Sequence, residues 1–380
     1  MKGISLKDRI EGALYGIAIG DGMGAPVEGW SSSRILEQFT DHNMMEFLPA
    51  THGKDPATGK GHGRITDDTL MTEALIRAYC ACKDHMNAYD YEKFFLPEIL
   101  SREIWIPEKQ KTMALFGRLF WPEKYPVIRM TINGAEPRSA GIGNMVNVGV
   151  AMYMMPIGAV NAGDPKDAYE EATSFGLAHN ESFALEAAGI MAAAYASAFS
   201  NNSTIRGVIE TTLSLSHDGT FAAIQAVDRA VEEGDDTLSF VQKARQAVSP
   251  FDQRTTHAVD EQATLAGEHT DVGRPSRIYT AEEVPVALGA LKTGEGNFIR
   301  TLKASVFYGR DCDSIASMAC GLFGAIYGRD DVPDTLKKAS ETANRRSYTE
   351  TASELTSVVW EIFQKDKTRF AERQKIMNRN

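Results

Sequence analysis

An all-α fold is predicted by three features of this 380-residue chain: apolar residues recurring at helical spacing, an alanine-rich and proline-poor middle, and little room between helical stretches for strands. Ile10, Leu14, Ile17 and Ala18 fall on one helical face, and Leu70, Ala74, Leu75 and Ala78 repeat the pattern in a second segment. Further helices are predicted at about Pro165 to Gly176, Ser182 to Phe199, Thr220 to Glu233, Thr237 to Ala247, Glu282 to Leu291, Asn297 to Tyr308, Ser314 to Tyr327 and Thr349 to Gln364. Between Glu181 and Phe199 eight residues are alanine, which predicts helices approaching closely in the interior. No break in composition divides the chain, so one large domain over 1–380 is expected.

Three stretches resist helical assignment. His42 to Ile65 carries Gly53, Gly59, Gly61 and Gly63 with two prolines and runs into a cluster of acids. Trp105 to Pro137 mixes Trp105, Phe116, Phe120, Trp121 and Tyr125 with Pro107, Pro122, Pro126 and Pro137. Ser249 to Thr280 is polar and longer than a compact domain normally leaves unstructured. Each is either a wall or lid over a site or a surface loop.

Composition narrows the function. With 43% hydrophobic and 24% charged residues the chain is globular, not disordered. Its net charge of −11, without a basic run, argues against a nucleic-acid polymer as partner. Charged residues arrive too early in Met-Lys-Gly-Ile-Ser-Leu-Lys-Asp-Arg for a signal peptide, and no stretch of about 18 apolar residues suggests a membrane span. A cytoplasmic protein is expected. Cys80, Cys82, Cys312 and Cys320 are too few for a disulfide framework, and no second pair completes a zinc spacing around the first two.

Three motifs carry chemistry. Gly20-Asp-Gly-Met-Gly-Ala-Pro-Val-Glu28 follows a helix instead of opening one after a strand, so a dinucleotide fingerprint fails on context. Its glycines either cap the helix or permit close backbone approach to a ligand, with Asp21 and Glu28 at the edge. Thr66-Asp67-Asp68-Thr69 opens the second helix, where acids complement the dipole but also offer oxygen ligands to a hard divalent cation. Asp311-Cys312-Asp313-Ser314 repeats that composition far away, again before a helix. Facing one another, these carboxylates repel unless cations lie between them, which predicts a pair of bound metal ions. His62 is of interest because it lies four residues before Thr66; the other histidines outside His179 show no metal spacing. No nucleophile elbow or P-loop is present.

These residues resemble the ADP-ribosylglycohydrolase family. The resemblance rests on Gly12-Ala-Leu-Tyr-Gly-Ile-Ala-Ile-Gly-Asp-Gly-Met-Gly-Ala-Pro-Val-Glu28, on Thr66 to Thr69, and on Asp311 to Ala316 followed by Gly321 and Gly324-Ala-Ile-Tyr-Gly328, and it is clearest over 9–328. It implies a compact all-α fold with two divalent cations, Mg²⁺ or Mn²⁺, held by Thr66, Asp67, Asp68, Asp311, Asp313 and Ser314. Asp68 and Glu28 become the candidate acid–base carboxylates. Asn147-Val-Gly-Val-Ala-Met-Tyr-Met-Met-Pro-Ile-Gly158 resembles the stretch lining the ribose and phosphate side of the family's pocket. Asp21, Asn147, Gly149, Met152, Tyr153 and His179 are therefore the expected substrate contacts. Tyr153 stands where the family commonly has Arg, Asn147 sits one place before the family's Asn, and Glu181 replaces a frequent second histidine.

The implied activity is hydrolysis of the glycosidic bond of an ADP-ribosyl or related ribosyl adduct, on a small molecule or an ADP-ribosylated protein. Alternatives are a smaller nucleoside-like riboside, a non-catalytic ADP-ribose-binding relative, and a two-metal phosphohydrolase. Oligomeric state is not readable from the sequence.

Overall fold

A computed structural model describes residues 3–40, 42–51, 58–251 and 280–377, and among these residues the chain is helical almost throughout. The one sheet there is a two-stranded hairpin, β1 (Glu103–Ile106) and β2 (Lys111–Ala114), antiparallel with Glu103 opposite Ala114 and Ile106 opposite Lys111. It falls inside the Trp105 to Pro137 stretch read as irregular. That stretch also contains a helix, Trp121–Thr131, entered through Pro122, a residue that suits a helix's first turn because its missing N–H has no partner to lose.

The first helix, Leu6–Gly24, starts at Ser5, whose hydroxyl accepts a bond from the Asp8 amide at 3.1 Å. It does not end at Gly20 but carries Gly20, Gly22 and Gly24 as helical residues, followed by a 3₁₀ turn, Ala25–Val27. Gly12, Gly16, Gly20 and Gly24 lie four apart, on one face, against the helix Cys312–Tyr327. A Cβ on Gly12 would sit 2.5 Å from the Gly324 carbonyl oxygen, and one on Gly24 2.5 Å from the Asp313 Cα. Gly16 and Gly20 meet the Cys320 and Ala316 carbonyls in the same way. Gly20 and Gly24 of the motif thus serve the approach of one helix backbone to another, Gly22 packs on the Gly63 backbone, and the antiparallel run sets Asp21 beside Asp313.

Helices follow the predicted spans closely at Pro165–Gly176, Ser182–Ala198, Asp218–Ala230, Thr237–Val248, Thr280–Gly294 and Phe298–Tyr308. Helices at Ser32–Phe39, Met155–Val160, Ile205–Leu215 and Asp334–Asn344 were not anticipated. Two of these are capped by hydroxyls that a sequence reader can see, Ser31 on the Arg34 amide and Thr204 on the Gly207 amide. The last helix runs over Tyr348–Met377, well past Gln364. Its extension is apolar-poor but held by charge: Arg369 pairs with Asp84 at 2.6 Å and with Asp366 at 2.9 Å. The Ser182–Ala198 helix is buried along nearly its whole length, as its alanines require.

The remainder of the His42 to Ile65 stretch bends through left-handed backbone at Gly59, Gly61, His62 and Gly63. Asn344 fixes its end, donating to the Gly63 carbonyl at 2.9 Å and accepting from the Ile65 amide at 3.0 Å. Residues 252–279 of the Ser249 to Thr280 stretch lie outside the described residues.

Candidate metal centre and cleft

Three chain segments meet at one acid-lined floor. Asp21 comes from the last turns of the first helix and Glu28 from just beyond its 3₁₀ turn. Asp67 and Asp68 open the helix Asp67–Cys82, and Asp311, Asp313 and Ser314 open Cys312–Tyr327, so two helix N-termini face the same space.

Asp21 explains how the helix Asp67–Cys82 begins. Thr66, its N-cap, makes no side-chain capping bond of its own. The Asp21 carboxylate substitutes from the neighbouring helix: it accepts from the Thr66 amide at 2.9 Å, the Thr66 hydroxyl at 2.7 Å, the Thr69 amide at 3.2 Å and the Thr69 hydroxyl at 2.5 Å. Burial still outweighs these donors and, with the charge of Asp313 adding to it, pushes the Asp21 carboxyl up to about 7.

Asp68 ties the two N-termini together. Ser317 donates to its Oδ1 at 2.8 Å and Ser314 to its Oδ2 at 3.5 Å. Burial, then Asp21 and Asp313, drive its carboxyl well above the usual carboxylate range. Burial and the neighbouring Asp313 do the same to Asp311. Asp67 is held outward by Arg118, 3.0 Å from Nη1, while Arg118 Nε donates to Glu108 at 2.8 Å. Lys60 bridges Glu28 and, at 3.6 Å, Asp313.

Ligand oxygens of Asp21, Asp68 and Asp313 lie within 4.8 Å of one another, and so do those of Glu28, Asp311 and Asp313. Asp313 belongs to both groups and its Oδ1 is buried without a hydrogen-bond partner. A shared carboxylate, an orphaned oxygen and carboxyls forced upward by burial and then by one another's charge are the signature of a site short of positive charge. The donor set, all carboxylate and hydroxyl oxygen, suits hard divalent cations.

Above the floor opens a cleft of about 270 Å³. Glu28, Asp67, Asp68, Asp311, Asp313 and Ser314 line its base; Asn147, Val148, Gly149 and Met152 line one side; Phe120, Trp121, Pro122 and Glu123 line the other. Asn144 braces the walls, donating to the carbonyls of Pro122 and His179 at 2.8 Å each. The structure therefore brings together the expected metal-site residues with Glu28, Asn147, Gly149 and Met152. Thr66 and Asp21 sit immediately beneath, fully buried.

Tyr153 and His179 do not reach the cleft. Both are fully buried behind the 3₁₀ turn Val148–Tyr153, rings stacked with centroids 5.7 Å apart and Tyr153 Oη 2.6 Å from His179 Nδ1. The turn points Tyr153 toward Phe95 in the core, and burial lowers His179 to about 3, which keeps the imidazole neutral. His62 is exposed and not among the cleft residues. Sequence reading missed Ser317, Arg118, Lys60 and Glu123. Ser317 alone had a legible signal, lying three residues after Ser314 on the same helical face.

The family profile "ADP-ribosylglycohydrolase" matches residues 2–368, and the chain belongs to that family. It is a glycosidic-bond hydrolase. Over 356 residues it is 24% identical to an uncharacterised protein of Escherichia coli (strain K12), YegU, covering 92% of this chain and 96% of that one. It is 24% identical over 344 residues to the ADP-ribosylhydrolase ARH3 of Homo sapiens, covering 88% and 89%. A shorter match, 38% over 86 residues and 21% of this chain, is to the ADP-ribosyl-[dinitrogen reductase] glycohydrolase of Rhodospirillum rubrum. A solved structure titled "ADP-ribosylglycohydrolase-related protein complex" superposes with a TM-score of 0.60 at 18% identity, covering 93% of this chain and 99% of that one, and shares the fold. No helix among the described residues is long and apolar enough to cross a membrane.

Proposed function

We propose that the cleft hydrolyses the glycosidic bond of an ADP-ribosyl or related ribosyl adduct, on a small molecule or a modified protein, with two divalent cations, Mg²⁺ or Mn²⁺, on the acid floor. The observation that carries this reading is the pair of buried acid groups joined at Asp313. Asp68, Asp311 and Asp313, with Asp67, Thr66 and Ser314 beside them, would hold the ions. When bound, such ions lower the pKa of a water and orient vicinal ribose hydroxyls.

The chain's own residues supply the rest. Glu28, at the cleft edge and paired with Lys60, and Asp68, on its floor, are the carboxylates placed to take a proton from the water or to give one to the leaving group. Asn147, Gly149 and Met152 flank the ribosyl group, and the buried base of the cleft limits access of bulk water.

A second reading, a smaller uncharged riboside, is favoured by the lining: six carboxylates, with the nearby cations Lys60 and Arg118 already paired with Glu28, Asp313 and Asp67. The test assays ADP-ribosyl-arginine, ADP-ribosyl-serine, O-acetyl-ADP-ribose and simple nucleosides with Mg²⁺ or Mn²⁺ and with a chelator. Release of free ribose or ADP-ribose only with metal supports the proposal. Turnover that a chelator leaves untouched, or release of phosphate in place of a ribosyl product, overturns it.

A further inference from the structure

Glu123 is the cleft carboxylate that the acid floor does not use. It lies in the first turn of the Trp121–Thr131 helix, is 3% exposed and lines the cleft opposite Asn147 and Gly149. Burial and the charge of Asp67 push its carboxyl up to about 8 against the amides of its own turn, and Oε2 has no hydrogen-bond partner. A buried acceptor left unpaired is costly, so an unpartnered oxygen just inside the wall of a substrate cleft is a position for a ligand donor.

Its surroundings narrow the donor. Phe120 and Trp121, 49% and 59% exposed, line the same wall immediately before it. Lys60 and Arg118 already lie over the Phe120 ring, 5.5 and 4.9 Å from its centroid, whereas Trp121, which meets only Tyr125 at an edge, keeps a face that suits a flat group.

We propose that Glu123 reads the aglycone: its Oε2 accepts a hydrogen bond from an N–H of a flat nitrogen-bearing group, a nucleobase or a guanidinium, laid against Trp121. This rests on the reading of the cleft as a riboside hydrolase. An aglycone without N–H donors leaves Oε2 unpaired and is discriminated against, as in sites built to bond a polar substrate group. Glu123→Gln keeps the shape but turns the position of Oε2 into a donor, because the other oxygen is needed as acceptor for the helix amides.

The experiment compares wild type, E123Q and W121A with Mg²⁺ present, on ADP-ribosyl-arginine, adenosine and O-acetyl-ADP-ribose. E123Q is expected to lose at least about tenfold in kcat/KM on whichever N-linked substrate is used, mainly through KM, and less than about threefold on the O-acetyl compound. W121A, an exposed position, is expected to move in the same direction by a smaller factor. Which N-linked substrate responds distinguishes a guanidinium from a nucleobase. An equal loss on all three substrates makes Glu123 a ribose contact and overturns the proposal, as does no loss on the N-linked ones. Calorimetric titration with free arginine and adenine separates this from the hydrolase reading: wild-type binding weakened at least about tenfold by E123Q supports the Glu123 assignment even if no riboside is cleaved. Binding unchanged by E123Q, or no binding of either compound by wild type, overturns it.

Discussion

Asp21→Ala should unfasten the helix that presents Asp67 and Asp68. The wild-type carboxylate satisfies two amides and two hydroxyls at the start of that helix, all buried. The hydroxyls can turn to other acceptors, but the Thr66 and Thr69 amides cannot, and each buried donor left unpaired costs about 1–3 kcal/mol. Relief of repulsion between Asp21 and the acids beside it returns part of this, so a net loss of about 3 kcal/mol is expected in the metal-free protein. Asp21→Asn retains one acceptor oxygen and should lose about half as much. Urea unfolding followed by circular dichroism measures both, with unchanged slope showing that only stability moved. If Asp21→Ala unfolds within about 0.5 kcal/mol of wild type, the carboxylate is not what holds the Thr66–Thr69 turn, and the account of how the site is assembled is wrong.

Gly20→Ala places a methyl group on the Ala316 carbonyl of the facing helix, where only backbone movement can make room, and should cost at least about 3 kcal/mol, with metal affinity falling alongside; a wild-type melting curve would show that the two helices are not in backbone contact. His85 links Glu171, at 2.5 Å, to Asp366 of the last helix, at 3.0 Å. Burial pulls its pKa down, but the bonds and charges of Glu171 and Asp366 outweigh this and raise it to about 9 from 6.5. Because the folded value is the higher one, the stabilisation is full below about pH 6.5 and fades as pH rises through about 9, a loss on the order of 2 kcal/mol. His85→Gln should flatten that slope in thermal unfolding across the same range, and an equal slope in both proteins would exclude His85 as its source.

Long periodic helices were legible because burying an apolar face imposes spacing directly on the chain, as at Pro165–Gly176. The hairpin was not, since β1 and β2 hold four residues each and too few alternations to announce a strand. The sequence offered a helix cap or a ligand contact for Gly20 and Gly24 because the partner that makes glycine necessary, the 312–327 helix, is about 300 residues away in sequence, while Gly22 meets the Gly63 backbone. The two acid clusters were visible as oxygen donors at helix starts, but their joining at Asp313 depends on that same distant contact, and the capping role of Asp21 on a separate one with Thr66 and Thr69. Glu123 and Arg118 left no periodic trace, lying where prolines and aromatics interrupt the pattern. Tyr153 shared a motif with cleft residues, yet the 3₁₀ turn Val148–Tyr153 leaves it in the core, where His179, from a separate segment, stacks on it.

Calorimetric titration of the metal-free protein with Mn²⁺, beside Asp313→Asn, meets the shared-carboxylate centre most directly. Two ions per wild-type chain are expected, with both sites weakened at least about tenfold in the variant because both carboxylate groups lose the same member. No saturable heat in wild type, or an Asp313→Asn isotherm that overlays it, would contradict the centre.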